Sequence, residues 1–170
     1  DGLVTGVQTC ALPISGALTV AGTTTLAAGA VNNITLSNAG NAFTGAVGIT
    51  SGNNVLLTNN IATVLGASAL SGTLGVTSNG TLTESGTLTV TGAATFTQNS
   101  TVSGNQDILL GSQANDFQGT TTFAAGVGAG IGTLSLRNID ALATFPTLSS
   151  VPVNLTLIFN AAGVSIPLTG

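Results

Sequence analysis

The sequence predicts an all-β protein wound as a parallel β-helix, or β-solenoid, and three observations predict it. The first is an internal repeat. Residues 34–49 (ITLSNAGNAFTGAVGI) align without a gap on residues 108–123 (ILLGSQANDFQGTTTF), so that Ile34, Leu36, Asn41, Phe43 and Gly45 fall on Ile108, Leu110, Asn115, Phe117 and Gly119. Upstream, LTVAG at 18–22 returns as LTVTG at 88–92; downstream, Asn60-Ile61 returns as Asn138-Ile139. The second is rhythm: short apolar runs recur every ~8 to 12 residues with Gly, Asn and Ser between them, the residues that tolerate turn geometry. The third is the shortage of large rings, with six Phe and no Trp or Tyr in 170 residues. A narrow solenoid core fills with Val, Leu, Ile and Ala, and 29 Thr and 15 Asn are available to stack on like residues of the next coil. A sandwich or barrel shares the short strands but not the repeat.

The expected strands follow in order. Residues 17–20 and 33–36 alternate apolar and polar, placing Leu18 and Val20, then Ile34 and Leu36, on one face. Runs 46–49, 55–57 and 73–76 do the same with Val47 and Ile49, Val55 and Leu57, Leu74 and Val76. Runs 87–90 and 94–97 carry Leu88, Val90 and Phe96, and 108–110 and 120–123 carry Ile108, Leu110 and Phe123. Runs 133–136 and 154–159 complete the set of strands. No stretch sustains a helical period, and residues 139–145 alone fit one helical turn. At ~20 to 25 residues per coil and roughly 4.8 Å between coils, residues 15–170 make about seven coils and a rod of roughly 30 to 35 Å.

Composition excludes most chemistry. Only 4% of residues are charged, against about 25% in ordinary domains. One cation, Arg137, stands against five acidic residues, and His and Lys are absent. No imidazole can act as a base or metal ligand, no lysine can form a Schiff base, and no basic surface can neutralise nucleic-acid phosphates or an anionic membrane. Mean hydropathy is +0.58, yet no run approaches the ~18 apolar residues of a membrane span. The most apolar stretch, 151–168, is interrupted by Asn154, Thr156, Asn160, Gly163 and two prolines. A chain that is 43% hydrophobic also lacks the disordered signature.

Few residues remain as candidates for a site. Paired carboxylates cleave glycosidic bonds when ~5 to 10 Å apart, and Asp107 follows Glu84 by about one coil. The plainer reading is that Glu84, Asp107, Asp116 and Asp140 are solubilising charges on turns. A calcium cage needs several clustered oxygens, and no G-G-x-G-x-D repeat is present. Gly126-Val127-Gly128-Ala129-Gly130 lacks the lysine and helix of a phosphate loop and reads as a turn. Sequons at Asn33, Asn79, Asn99 and Asn154 arise readily in an Asn- and Thr-rich chain. Thr-x-Thr pairs at Thr23/Thr25, Thr81/Thr83, Thr87/Thr89/Thr91, Thr95/Thr97 and Thr120/Thr122 suggest an alternative function, ice binding. That requires the pairs on one face of successive coils, and their sequence spacing is irregular. No enzyme activity, cofactor or metal is expected.

The chain divides into three expected regions. Residues 4–14 (VTGVQTCALPI) resemble the translation of a common short-read sequencing adapter, so 1–14 is expected to be artefactual, with the only cysteine, Cys10, inside it. Residues 15–137 are the regular coils, expected to belong to a longer repeat array. Residues 138–170, with Pro146, Pro152 and Pro167, read as a less regular terminal coil or cap.

Asn41-Ala42-Phe43-Thr44-Gly45 and Asn115-Asp116-Phe117-Gln118-Gly119 share the pattern N-x-F-x-G. With GNNVLLT (52–58) and GTLTVTGAATF (86–96), they resemble the strand repeats of bacterial surface exoproteins, the filamentous-haemagglutinin-like and autotransporter-passenger group. The resemblance covers most of residues 16–136. It implies a right-handed β-helix stalk, exported to the bacterial cell surface or medium and used in adhesion or biofilm. It further implies partners among host or biofilm surface ligands such as glycans. Composition and hydropathy predict no nucleic-acid partner and no membrane insertion, and exposed strand edges at the two ends predict self-association through the solenoid ends. Asn41, Phe43, Gly45, Asn115, Phe117 and Gly119 are the expected structural motif, with both Phe in equivalent core positions and both Gly permitting the turn that follows.

Overall fold

A computed structural model of the chain describes residues 16–101, 104–161 and 163–165. The adapter-like segment 1–14, with Cys10, lies outside the described residues, as does Pro167. The protein is all-β, with no helix among the described residues, and its parallel ladders stack as a β-solenoid of about seven turns. Residues 139–145 make a hydrogen-bonded turn instead of a helical one: the Ala143 amide donates to the Asp140 carbonyl at 3.2 Å and the Leu142 amide to Asp140 Oδ2 at 2.9 Å.

The strands, in order, are β1 (Thr19–Val20), β2 (Thr24–Ala27), β3 (Ile34–Leu36), β4 (Ala42–Phe43), β5 (Val47–Gly52), β6 (Val55–Asn59), β7 (Thr63–Leu70) and β8 (Leu74–Ser78). They continue as β9 (Leu82–Glu84), β10 (Leu88–Val90), β11 (Ala94–Gln98), β12 (Gln106–Phe117), β13 (Thr121–Ala125), β14 (Ile131–Asn138), β15 (Thr147–Leu148) and β16 (Asn154–Phe159). The second sheet is simple, running β3-β6-β8-β11-β13-β15. The first runs β2-β5-β7-β10-β12-β14-β16, with β9 bonded to both β7 and β12. It is branched because its long strands turn a corner. Thr63, Val64 and Leu65 of β7 pair with β9, whereas Ser68, Ala69 and Leu70 pair with β10. A middle coil therefore has two stretches in the first sheet and one strand in the second. Paired positions of the second sheet lie 19 to 27 residues apart, as in Val55↔Leu74 and Ala94↔Thr121.

Every run expected from alternation contains a strand, but β2, β4, β7, β9 and β15 were not expected. For β7 the reason is visible in TVLGASAL. Its inward residues include Thr63 and Ser68, and its corner at Gly66 breaks the period of two. Alternation of polarity is then hidden, while burial alternates on either side of the Leu65-Gly66 corner.

Register builds the core as columns. Leu36, Leu57, Val76, Phe96, Phe123 and Leu148 stack through the second sheet, one per coil. Thr63, Leu82, Ile108 and Leu134 stack through the first, and the next position in register, Leu155, is exposed. Phe96 lies over Phe123 with ring centroids 5.5 Å apart and meets the edge of Phe117 at 5.8 Å and 76°. Offset stacked and edge-on contacts are the favourable ones for aromatic quadrupoles. Each such buried side chain contributes roughly 1.5–3 kcal/mol through removal of its apolar surface from water.

Corners interrupt the backbone ladder, and buried polar side chains complete its hydrogen bonds there. Ser78 Oγ donates to the Gly80 carbonyl at 2.9 Å, and Gln98 Nε2 donates to the same oxygen at 2.9 Å. Ser68, at the β7 corner, accepts from the Ile49 amide at 3.1 Å. In the C-terminal part, β14 pairs with β16 over six positions, from Thr133↔Asn154 to Asn138↔Phe159. Val151 and Val153 there are exposed.

Candidate functional site

The six motif residues form two copies of one corner. Asn41 Nδ2 donates to the Leu36 carbonyl at 3.0 Å while its Oδ1 accepts from the Leu18 amide, one coil away, at 2.9 Å. Asn115 repeats this: Nδ2 to the Leu110 carbonyl at 3.1 Å, Oδ1 from the Leu88 amide at 2.9 Å. Each asparagine thus closes its own turn and holds the coil beneath. Phe43 and Phe117 point inward, both 1% exposed. An asparagine of the following coil clamps the backbone of each. The Phe43 amide donates to Asn59 Oδ1 at 2.9 Å and its carbonyl accepts from Asn59 Nδ2 at 3.0 Å. The Phe117 amide and carbonyl make the same pair with Asn138, both at 3.0 Å. Gly45 and Gly119 are places of close approach. A Cβ on Gly45 would lie 2.5 Å from the Gly22 carbonyl, and one on Gly119 would lie 2.4 Å from that of Gly92.

The two copies occupy different sides of the coil. Phe43 lies between second-sheet β3 and first-sheet β5, whereas Phe117 lies on the second stretch of first-sheet β12, before second-sheet β13. Sequence alignment alone does not distinguish these placements. The clamps also correct the downstream alignment: the counterpart of Asn138 is Asn59, not Asn60. The sequence signal for them is an Asn following each Phe by about one coil, 16 residues in one copy and 21 in the other. Unequal coil lengths concealed it.

The carboxylates bond within the chain. Glu84 Oε1 accepts from the Gln113 amide at 2.8 Å and Ser112 Oγ at 3.2 Å, and Oε2 accepts from Asn115 Nδ2 at 2.8 Å. It braces the irregular part of β12 beside the motif. Asp107 Oδ1 accepts from the Thr133 amide at 2.6 Å, and Asp116 Oδ2 from Gln118 Nε2 at 2.9 Å. Glu84 and Asp107 are not brought together as a facing pair. The pairing of Leu82 with Ile108 sets Glu84 level with Leu110, on the opposite strand parity to Asp107. Among the described residues, no group of three or more His, Cys, Asp or Glu side chains could hold a metal ion. Arg137, on β14, keeps its Nε buried without a hydrogen-bond partner.

The outward face of the second sheet is the most regular surface. Thr58, Thr77 and Thr97 fall in register on successive coils. Beside them runs Thr35, Leu56, Gly75, Thr95, Thr122 and Thr147. None of this sheet's strands carries a charged residue. Gly75 opens a depression of about 370 Å³ between Leu56, Thr58, Thr77, Thr95 and Thr97. Of the Thr-x-Thr pairs, only Thr95/Thr97 lies wholly within this sheet's strands. Thr58 and Thr77, which belong to no such pair, complete the row through register.

A second row lies where the second sheet turns toward the first. Asn79 Nδ2 donates to Asn60 Oδ1, and Asn99 Nδ2 to Asn79 Oδ1, each at 3.1 Å. At the opposite edge, Asn33 Oδ1 accepts from the Asn54 amide at 3.1 Å and Asn54 Oδ1 from the Thr73 amide at 3.0 Å. No curated protein and no solved structure matches the chain. The family described as Repeats of unknown function (DUF5649) matches residues 4–50 and 52–124, a span that includes both N-x-F-x-G corners. Sharing that family's pattern over most of its length, the chain belongs to the Repeats of unknown function (DUF5649).

Proposed function

We propose that the chain is a stalk segment of a secreted bacterial surface adhesin, holding binding surfaces away from the cell for attachment to host or biofilm ligands, glycans among them. The observation that carries this reading is the in-register stacking of parallel coils, in which the second sheet runs from β3 to β15 without a break. Such an array lengthens by adding coils and stays stiff, because each coil rests only on its neighbours. Long uncharged faces offer weak contacts that gain strength by repetition. The role is presentation without catalysis; the carboxylates brace the chain's own amides and side chains. Folding coil by coil after export suits this construction, since each new coil finds a finished template. The test coats beads with the chain and measures their retention under flow on biofilm matrix and on host cells. Retention above that of uncoated beads is expected, together with the native protein in the surface fraction of its source cell. Retention equal to that of uncoated beads, or folded protein confined to the cytoplasm, would overturn the reading.

The Thr58-Thr77-Thr97 row favours one second reading, ice binding through an uncharged face of hydroxyl and methyl groups. Thermal hysteresis that is lost in Thr77→Lys would support it, and its absence in the parent chain would remove it.

A further inference from the structure

We propose that Asn79-Gly80 is a site of spontaneous deamidation that the asparagine ladder holds closed, so that its conversion marks a coil that has opened. It is the only Asn-Gly dipeptide in the chain. A glycine after asparagine leaves the backbone nitrogen unshielded. The Gly80 nitrogen attacks Asn79 Cγ, forming a new C–N bond; the Cγ–Nδ2 bond breaks, and Nδ2 departs as ammonia carrying the proton lost by Gly80. Water then opens the resulting cyclic imide at either carbonyl, leaving aspartate or an isoaspartyl linkage. Water is the only co-reactant.

Two separate packing demands place this dipeptide here. Gly80 crosses the preceding coil so closely that a Cβ would lie 2.7 Å from the Ala62 nitrogen and 2.8 Å from its Cα. Asn79 is the middle rung of the ladder, donating to Asn60 and accepting from Asn99, both at 3.1 Å. Their adjacency creates the chemical liability, and the same packing suppresses it. Attack requires Cγ to turn toward the Gly80 nitrogen, which breaks both rungs at once. The backbone is held as well: the Asn79 amide donates to the Asn59 carbonyl at 3.0 Å. The Gly80 carbonyl accepts from both Ser78 and Gln98.

The product does not fit the closed coil. An aspartate at 79 still accepts from Asn99 but sets an oxygen against Asn60 Oδ1, where a donor stood. An isoaspartyl linkage adds a main-chain atom just after the paired positions Thr77↔Thr97 and Ser78↔Gln98. Conversion therefore prevents clean reclosure.

The experiment incubates the full folded chain in mildly alkaline buffer and follows aspartyl and isoaspartyl product at Asn79 by peptide mapping. A urea-denatured sample at the same pH is run in parallel. Slow conversion in the folded chain and rapid conversion in the denatured one are expected. Asn60→Ala and Asn99→Ala alter exposed side chains, and each is expected to raise the folded-state rate on the order of tenfold, the weight of about one net hydrogen bond. Folded and denatured chains converting at the same rate would overturn the proposal. So would rates in both variants equal to that of the parent. Should either variant lose its cooperative melt, the comparison of folded with denatured parent chain still decides.

Discussion

Phe96→Ala is the sharpest test of the column model of this core. The ring is fully buried at 0% exposure, stacked on Phe123 and edge-on to Phe117, so truncation removes both of its ring contacts with the following coil. Lost transfer energy and the residual cavity together cost about 3–5 kcal/mol for a buried Phe→Ala change. The two ring pairs account for roughly 0.5–1.5 kcal/mol each within that figure. Against a typical total of about 5–15 kcal/mol, the loss is a large part of the stability. The chain has no Trp or Tyr, so urea unfolding is followed by far-UV circular dichroism rather than by indole emission. Amide exchange serves as a second readout, because stacked coils can open locally. Loss of protection should centre on β8, β11 and β13, the strands that surround Phe96. The double variant with Phe123→Ala should be non-additive by about 0.5–1.5 kcal/mol. A single-variant loss below about 1 kcal/mol, or strict additivity with Phe123→Ala, would refute the stacking argument.

Other expectations follow from single contacts. Asn138→Ala leaves the buried Phe117 amide and carbonyl without their partner and should cost about 1–3 kcal/mol per orphaned group, read from the urea midpoint. Gly119→Ala forces a methyl against the Gly92 carbonyl and should destabilise by about 1–3 kcal/mol, as overpacking does; an unchanged melting temperature would contradict the close crossing. Glu84→Gln keeps the shape but loses one of the two carboxylate acceptors that hold Gln113, Ser112 and Asn115. It should cost about 1 kcal/mol, since the group is partly solvated. With one cation in the whole chain, stability should barely change between low and moderate sodium chloride, because there is little charge interaction to screen.

The legible part of the fold was the part carried by local pattern. Leu88-Thr89-Val90 and Leu134-Ser135-Leu136 show their buried face by polarity alone, and both lie in strands. The N-x-F-x-G segments recur as sequence and recur as geometry, because Asn41 and Asn115 close their turns on carbonyls five residues earlier in the chain. β7 escaped because Thr63 and Ser68 face inward at a corner, where a hydroxyl bonded to backbone or to Ser78 replaces an apolar side chain. The Asn59 and Asn138 clamps escaped because a contact one coil away follows no fixed sequence interval.

Composition and periodicity by themselves determined that this chain is all-β, repetitive, nearly uncharged and wound in coils. Those properties depend on each residue's preference for burial or turn, which is local. Only the tertiary structure decided which coil each residue meets. It put Thr58, Thr77 and Thr97 in one row, Asn60, Asn79 and Asn99 in another, and the two motif copies on different sides of the coil. The physical reason is that coil length varies with each turn, so register is set by the summed fit of core side chains and backbone hydrogen bonds between neighbouring coils. No interval in the sequence encodes that sum.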